Sequence, residues 1–302
     1  LRECQTIARS ADGLLADFDV QVQQYEAGDS LYARHVRSLL AVAQCEWEQL
    51  CCDATRAQQA MRDIELVRQL LDDPQTECKL IAARQQSIVQ TFTSSADGSL
   101  QFYRYWPPTG FDPDIEHPLI VFLHGRGDPS ALRFLCGGNI SPQAAGIVDL
   151  TGIAPIIVEP WGRGNSNYTG PAASDVFDSV TSISQQFRID SRRIYLAGHS
   201  MGGFGAWALG AARPDLWAAV AIASGAARTA TLDAARKLKS LPVLIWHGEA
   251  DGEVPAREAQ AMFDALCRHA APVELQLVPG HGHSFDPQHQ ADVFAWLLTH
   301  RR

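Results

Sequence analysis

The feature that most constrains this chain is a repeated change of period. From about residue 85 onward, short runs apolar on both faces alternate with helical stretches. The runs "LIVFLHG", "APIIVEP", "RIYLAGH", "AAVAIAS", "PVLIWHG" and "VELQLVP" read as strands, with helical patterns near 174–187, 200–213, 255–270 and 287–299 between or after them. Runs that must be buried on both faces, separated by helices, require a largely parallel sheet covered on each side, the α/β class. "SIVQTF" and "LQFYRYW", joined by "SSADGS", predict a β-hairpin ahead of it. In such sheets the loops beyond the carboxyl ends of the strands carry the chemistry.

The first part of the chain has a different texture. Leu14, Phe18, Val22 and Tyr25, then Tyr32, Val36, Leu39 and Ala43, then Ile64, Val67 and Leu71 recur at three- and four-residue spacing. That spacing predicts amphipathic helices. Gly28 breaks the first, Asp29 or Ser30 caps the second, and "DDP" at 72–74 is a stop. Residues 1–84 are therefore expected to form a small helical bundle and residues 85–302 the α/β domain.

Of the seven cysteines, Cys4, Cys45, Cys51, Cys52 and Cys78 crowd into this N-terminal part, which points to disulfide staples in an oxidising compartment. The alternative is that they are buried small apolar side chains. The chain begins with Leu1, which fits a processed export precursor, so a secreted or periplasmic location is expected, with the cytoplasm as the alternative. A formal net charge of −9 argues against a polyanionic partner, and no apolar run is long enough to cross a bilayer.

The stretch "AGHSMGGFG", 197–205, joins an apolar strand to an alanine-rich helix. A serine at such a junction can be a plain helix N-cap. Gly198, Ser200 and Gly202, however, fit G-x-S-x-G, in which a sharp turn lifts the serine oxygen above the sheet, and this reading makes Ser200 a nucleophile. A serine hydroxyl needs a base, and the base needs a carboxylate that fixes its tautomer. The loop after "PVLIWHG" offers Glu249, Asp251 and Glu253; Asp251, between Ala250 and Gly252, is the chosen acid. After "VELQLVP" comes "GHGHSFD", where His283 is the chosen base, with Phe285 to shield it and His281 as the alternative. His-x-His also raises the question of a metal, but no matching cysteine or carboxylate cluster accompanies it in sequence, and no metal or organic cofactor is expected. The oxyanion donors are expected to be the backbone N–H groups of Met201 and of Arg126 in "HGRGD".

"LHGRGD", "GHSMGGFG", "HGEADGEVP" and "PGHGHSF", in this order, resemble the α/β-hydrolase superfamily, and among its members the branch of prolyl-oligopeptidase-like hydrolases, feruloyl- and acetyl-esterases and polyhydroxyalkanoate depolymerase-type enzymes. "RGNSNYTGPAASDVFDSV" and "FRIDSRRIYLAGHSMGG" add to the likeness, which spans residues 86–302. It implies an α/β-hydrolase fold with Ser200 as nucleophile, Asp251 as acid, His283 as base, and Arg126 with Met201 as oxyanion donors. It does not reach the N-terminal helices, which are left as a lid or an interaction module.

Only "GAARTATLDAARKLKS" separates two strands where many such hydrolases insert a cap, so an open site and a bulky or polymer-linked ester substrate are expected. The loop "WGRGNSNYTG" places Trp161, Arg163 and Tyr168 as candidate substrate contacts, against the alternative that they pack structurally or are solvated. Asp175 and Asp178 are read as first-turn helix charges. The function so read is hydrolysis of carboxylic esters through an acyl-enzyme. The alternatives are a peptidase using the same residues and a noncatalytic binding protein of the same fold.

Overall fold

The computed structural model describes residues 31–50 and 87–302, apart from 109–111, 113, 128–129, 137–139 and 228–230, together with residues 13, 16, 20, 58, 61, 62, 64 and 65. Helix α1 (Leu31–Leu50) precedes the hairpin β1 (Ile88–Thr93) and β2 (Leu100–Trp106). Then come β3 (His117–Leu123), the short helices α2 (Ala131–Cys136) and α3 (Pro142–Ala145), β4 (Ile156–Pro160), α4 (Pro171–Gln186), β5 (Ile189–His199) and α5 (Met201–Ala212). The chain continues through β6 (Ala219–Ala223), α6 (Thr231–Lys237), β7 (Val243–Gly248), α7 (Ala256–Cys267), β8 (Val273–Val278) and α8 (Pro287–Leu298).

The eight strands form one sheet in the order β1-β2-β4-β3-β5-β6-β7-β8. β2 runs antiparallel to both β1 and β4, and every other pairing is parallel. The central strands β3, β4, β6 and β7 are buried at every position, which is why they read as unbroken apolar runs. Successive side chains alternate between faces. Leu119, Val121 and Leu123 join the core under α1, α4, α5 and α7, while Ile120 and Phe122 join the opposite core under α3 and α8. Among the described residues no helix is long and apolar enough to cross a membrane.

β5 starts earlier than its apolar run. Its first residue, Ile189, pairs with His117, the register then slips, and Ile194 pairs with Leu119. The polar residues between them work at the amino end of the sheet, away from Ser200. There Asp190 accepts from Arg193 (2.9 Å) and Arg301 (2.9 Å), and Arg193 also donates to Asp149 (2.6 Å).

α1 packs into the same core as the sheet, through Val36, Leu39 and Ala43 against Ile88 and Phe102. The Val89 N–H donates to His35 Nδ1 (2.9 Å), and Ser130 Oγ donates to Glu46 (2.9 Å). Of the crowded cysteines Cys45 lies on α1; Cys4, Cys51, Cys52 and Cys78, where pairing was expected, lie outside the described residues. So do most of the other residues of 1–84, for which a helical bundle is expected.

Candidate active site

Ser200 stands between β5 and α5 with φ 55° and ψ −117°, a region that side-chain-bearing residues rarely enter. The surroundings hold it there. Its N–H donates to the Ala223 carbonyl of β6 (2.9 Å), and its own carbonyl accepts the first helical bond, from Phe204 N–H (3.1 Å). A Cβ at Gly198 would strike the Gly202 carbonyl, and one at Gly202 would strike the Leu123 carbonyl at the end of β3. Both glycines are required because backbone touches backbone on each side of the serine.

Ser200 Oγ lies 2.8 Å from His283 Nε2, and His283 Nδ1 lies 2.8 Å from Asp251 Oδ2. Asp251 follows β7 and His283 follows β8, so the three groups meet above the carboxyl ends of three parallel strands. The other carboxylate oxygen of Asp251 accepts the N–H groups of Glu253 (2.9 Å) and Val254 (2.8 Å). Burial pushes the Asp251 carboxyl up, but those two N–H groups and the imidazole outweigh it and hold it below the ordinary carboxylate value. An ionised Asp251 keeps the Nδ1–H of His283 pointed at itself and leaves Nε2 facing the hydroxyl.

The other candidates in these loops go elsewhere. Glu249 is exposed, and the largely exposed Glu253 reaches only 3.7 Å from His283 Nε2. His281 Nε2 donates to the Ser284 carbonyl (2.8 Å) and its ring faces Trp246. Phe285, expected over His283, instead stacks on His199 (5.5 Å, 14°) and on Phe122 (6.3 Å, 15°).

The loop after β3 passes in contact with the serine: a Cβ on Gly125 would sit 3.4 Å from Ser200 Cβ. Asn165 holds this loop in place, accepting from Gly127 N–H (3.0 Å) and donating to the Gly127 carbonyl (2.8 Å). Met201 is the first residue of α5, where backbone N–H groups have no acceptor within the helix. A cleft of about 400 Å³ opens over Ser200, walled by Arg126, Arg133, Phe134, His199 and Glu253.

Trp161, Arg163 and Tyr168 are not among the residues that line this cleft, and each has a structural partner instead. Trp161 stacks on Phe102 (5.1 Å, 15°). Tyr168 is 1% exposed and packs edge-on to His124, filling the space that Gly162 and Gly205 leave open. Arg163 turns away to the β1–β2 turn, donating to Asp97 (2.6 Å) and Asp175 (2.6 Å). Its pKa is raised and that of Asp97 lowered by this mutual hydrogen bonding. Asp175, read as a helix-start charge, is 2% exposed and also accepts from Ser94 Oγ (2.6 Å). A strand-end position in the sequence did not reveal that a buried carboxylate waited for the arginine.

Three groups near the serine carried no sequence signal beyond their places in the motifs. His199 lines the cleft and bonds to the His283 backbone (2.7 Å). His247 is fully buried under Asp251, donating to the Val254 carbonyl (2.8 Å). His124 bridges the Gly125 (2.7 Å) and Trp161 (2.9 Å) carbonyls.

A serine, an aspartate and a histidine carried on the ends of β5, β7 and β8 of a mostly parallel sheet define the class: this chain has the α/β-hydrolase fold. A profile of the dienelactone hydrolase family matches residues 157–295. Feruloyl esterase D of Neurospora crassa is 25% identical over 207 residues, which cover 64% of this chain and 68% of that protein. Among solved structures, a thermostable esterase superposes with a TM-score of 0.59 at 22% identity, over 73% of this chain but only 64% of that one. The CE1 ferulic acid esterase of Anaeromyces mucronatus superposes with a TM-score of 0.55 at 16% identity, over 71% of this chain and 90% of that one. The fold is shared with a peptidase as well: a putative dipeptidyl aminopeptidase IV from Bacteroides ovatus superposes with a TM-score of 0.54 at 16% identity, over 71% of this chain and 35% of that one.

Proposed function

We propose that this protein is a serine esterase that cleaves carboxylic esters through an acyl-enzyme. The observation that carries the reading is the unbroken hydrogen-bonded line from Ser200 Oγ through His283 to Asp251. In it, His283 Nε2 takes the proton as Ser200 Oγ attacks the ester carbonyl, and Asp251 stabilises the imidazolium that forms. The N–H groups of Arg126 and Met201 receive the oxyanion. The imidazolium then protonates the departing alcohol, and His283 next activates the water that releases the acid.

The substrate is proposed to be an ester with a bulky, aromatic acyl group. An open cleft with Phe134 on its wall supports this, as does the similarity to a feruloyl esterase. The test is turnover of methyl ferulate, p-nitrophenyl acetate and chromogenic peptides by the natural chain and by Ser200→Ala. Ester turnover that favours the ferulate and disappears in the variant is expected. Peptide turnover alone would replace the esterase with a peptidase, and no labelling of Ser200 by a fluorophosphonate would remove the nucleophile.

A further inference from the structure

On the far side of the His283 loop, three side chains converge that the hydrolytic reading does not use. His281, Asp286 and His289 each present one ligand atom, and these atoms lie within 4.8 Å of one another. Asp286 caps α8 by accepting from His289 N–H (3.1 Å), and its other oxygen pairs with His289 Nδ1 (2.8 Å). The rings of His281 and His289 meet edge to face at 4.8 Å, and both rest on the indole of Trp246, at 5.2 and 4.8 Å. The cluster has an apolar floor and an open side, with 24% of the His289 side chain and 39% of Asp286 exposed.

Helix capping explains the pairing of Asp286 with His289, but it does not explain why the loop after β8 brings a third ligand atom, from His281, within 4.8 Å of both. Two imidazoles and one carboxylate are the donor set of borderline divalent cations, zinc foremost, with a fourth position left for water. Calcium and magnesium ask instead for oxygen ligands throughout. Zinc bonds of about 2.0–2.1 Å place tetrahedral ligands roughly 3.4 Å apart, so the widest separation must close by about 1.4 Å, within reach of rotation by partly exposed rings. The overall negative charge of the chain favours a cation.

We propose that His281, Asp286 and His289 bind one zinc-class divalent cation, which ties the loop after β8 to the start of α8. His283 lies in sequence between two of these ligands, so an occupied site restrains the backbone on both of its flanks. This goes beyond the esterase reading and does not depend on it.

The test is calorimetric titration of the tag-free, EDTA-stripped full chain with zinc chloride near neutral pH. One equivalent bound with micromolar affinity is expected, weakened at least about tenfold in His281→Gln, in His289→Gln and in Asp286→Ser, the last of which keeps a helix cap without a carboxylate. Melting curves in EDTA identify any variant that has lost its fold. No saturable binding by the natural chain, or equal binding by all three folded variants, overturns the site. Amide exchange across residues 279–286 is expected to slow when zinc is added to the natural chain and to stay unchanged in Asp286→Ser. Unchanged exchange in the zinc-saturated natural chain overturns the restraint. Neither readout uses ester turnover, so the site and the esterase reading fail separately.

Discussion

His199 Nε2–H donates to the backbone carbonyl of His283 at 2.7 Å. The carbonyl can only accept, so Nε2 carries the proton. Burial, with lesser contributions from neighbours, pushes the His199 pKa down to about 4, and the ring is therefore neutral near pH 7. The residue immediately before the proposed nucleophile thus holds the backbone of the proposed base. His199→Phe keeps a ring against Phe285 but loses the donor. It is expected to lower kcat for esters by about 10–100-fold with KM within twofold and a melting temperature close to the parent's, while His199→Gln, which can still donate, recovers part of the rate. Steady-state kinetics on the three proteins checks this.

Gly202 tolerates no side chain, since its Cβ would lie inside the Leu123 carbonyl and that carbonyl belongs to a central strand that cannot shift. Gly202→Ala is expected to cost more than about 3 kcal/mol and to yield little soluble protein. Gly252→Ala meets nothing within 4 Å and should melt near the parent temperature. Soluble yield and thermal melts of both variants separate steric clash from a general effect of losing glycine.

Arg163 is placed by its partners as a clamp between Asp97 and Asp175. Arg163→Gln is expected to lower the melting temperature by a few degrees and to leave KM for every ester in the panel within twofold. A several-fold rise in KM without loss of stability would return this residue to substrate binding.

Acid should weaken the amino end of the sheet. Burial raises Asp149 and Asp190, but hydrogen bonds from Thr151, Ile153 and Arg193 to the first, and from Arg192 and Arg193 to the second, outweigh it and hold both below the ordinary carboxylate value. A carboxyl depressed in the folded state stabilises fully above its unfolded pKa, and that stability drains as pH falls through the folded one. The loss therefore begins below about pH 4. Melting curves from about pH 6 to about pH 3 should show a steeper decline for the parent than for Asp149→Asn, which starts lower and has less to lose.

α1 contributes large apolar side chains to the central core, and burial of each is worth roughly 1.5–3 kcal/mol. Removal of residues 1–86 is therefore expected to give an insoluble or molten product, not a freely acting hydrolase. Normal solubility and turnover in that truncation would make the helix an appendage.

The strands and the serine turn were legible because their causes are local. Two-faced burial leaves an unbroken apolar run in β3, β6 and β7, and backbone contact at Gly198 and Gly202 leaves glycines at fixed offsets from Ser200. Asp251 and His283 could be singled out because the fold puts its chemistry at strand ends. Arg163 and Tyr168 occupy a similar strand-end loop, yet their partners, Asp97, Asp175 and His124, come from other segments that sequence alone does not bring near. The early start of β5 was hidden for a related reason: "DSRR" looks like a loop until Asp149 and Arg301 arrive to neutralise it. The short helices α2, α3 and α6 have too few turns to print a period.

The bond from Val89 N–H to His35 has a meaning for assembly. Among the described residues strand β1 is the last of the sheet on its side, and a bare strand edge is a template on which another chain can add its own backbone. Here one rung of that template is occupied by an imidazole from a helix rooted in the core. A second molecule that sought to lengthen the sheet through Val89 would first have to peel α1 away, so at this rung strand growth is closed off by the chain's own helix.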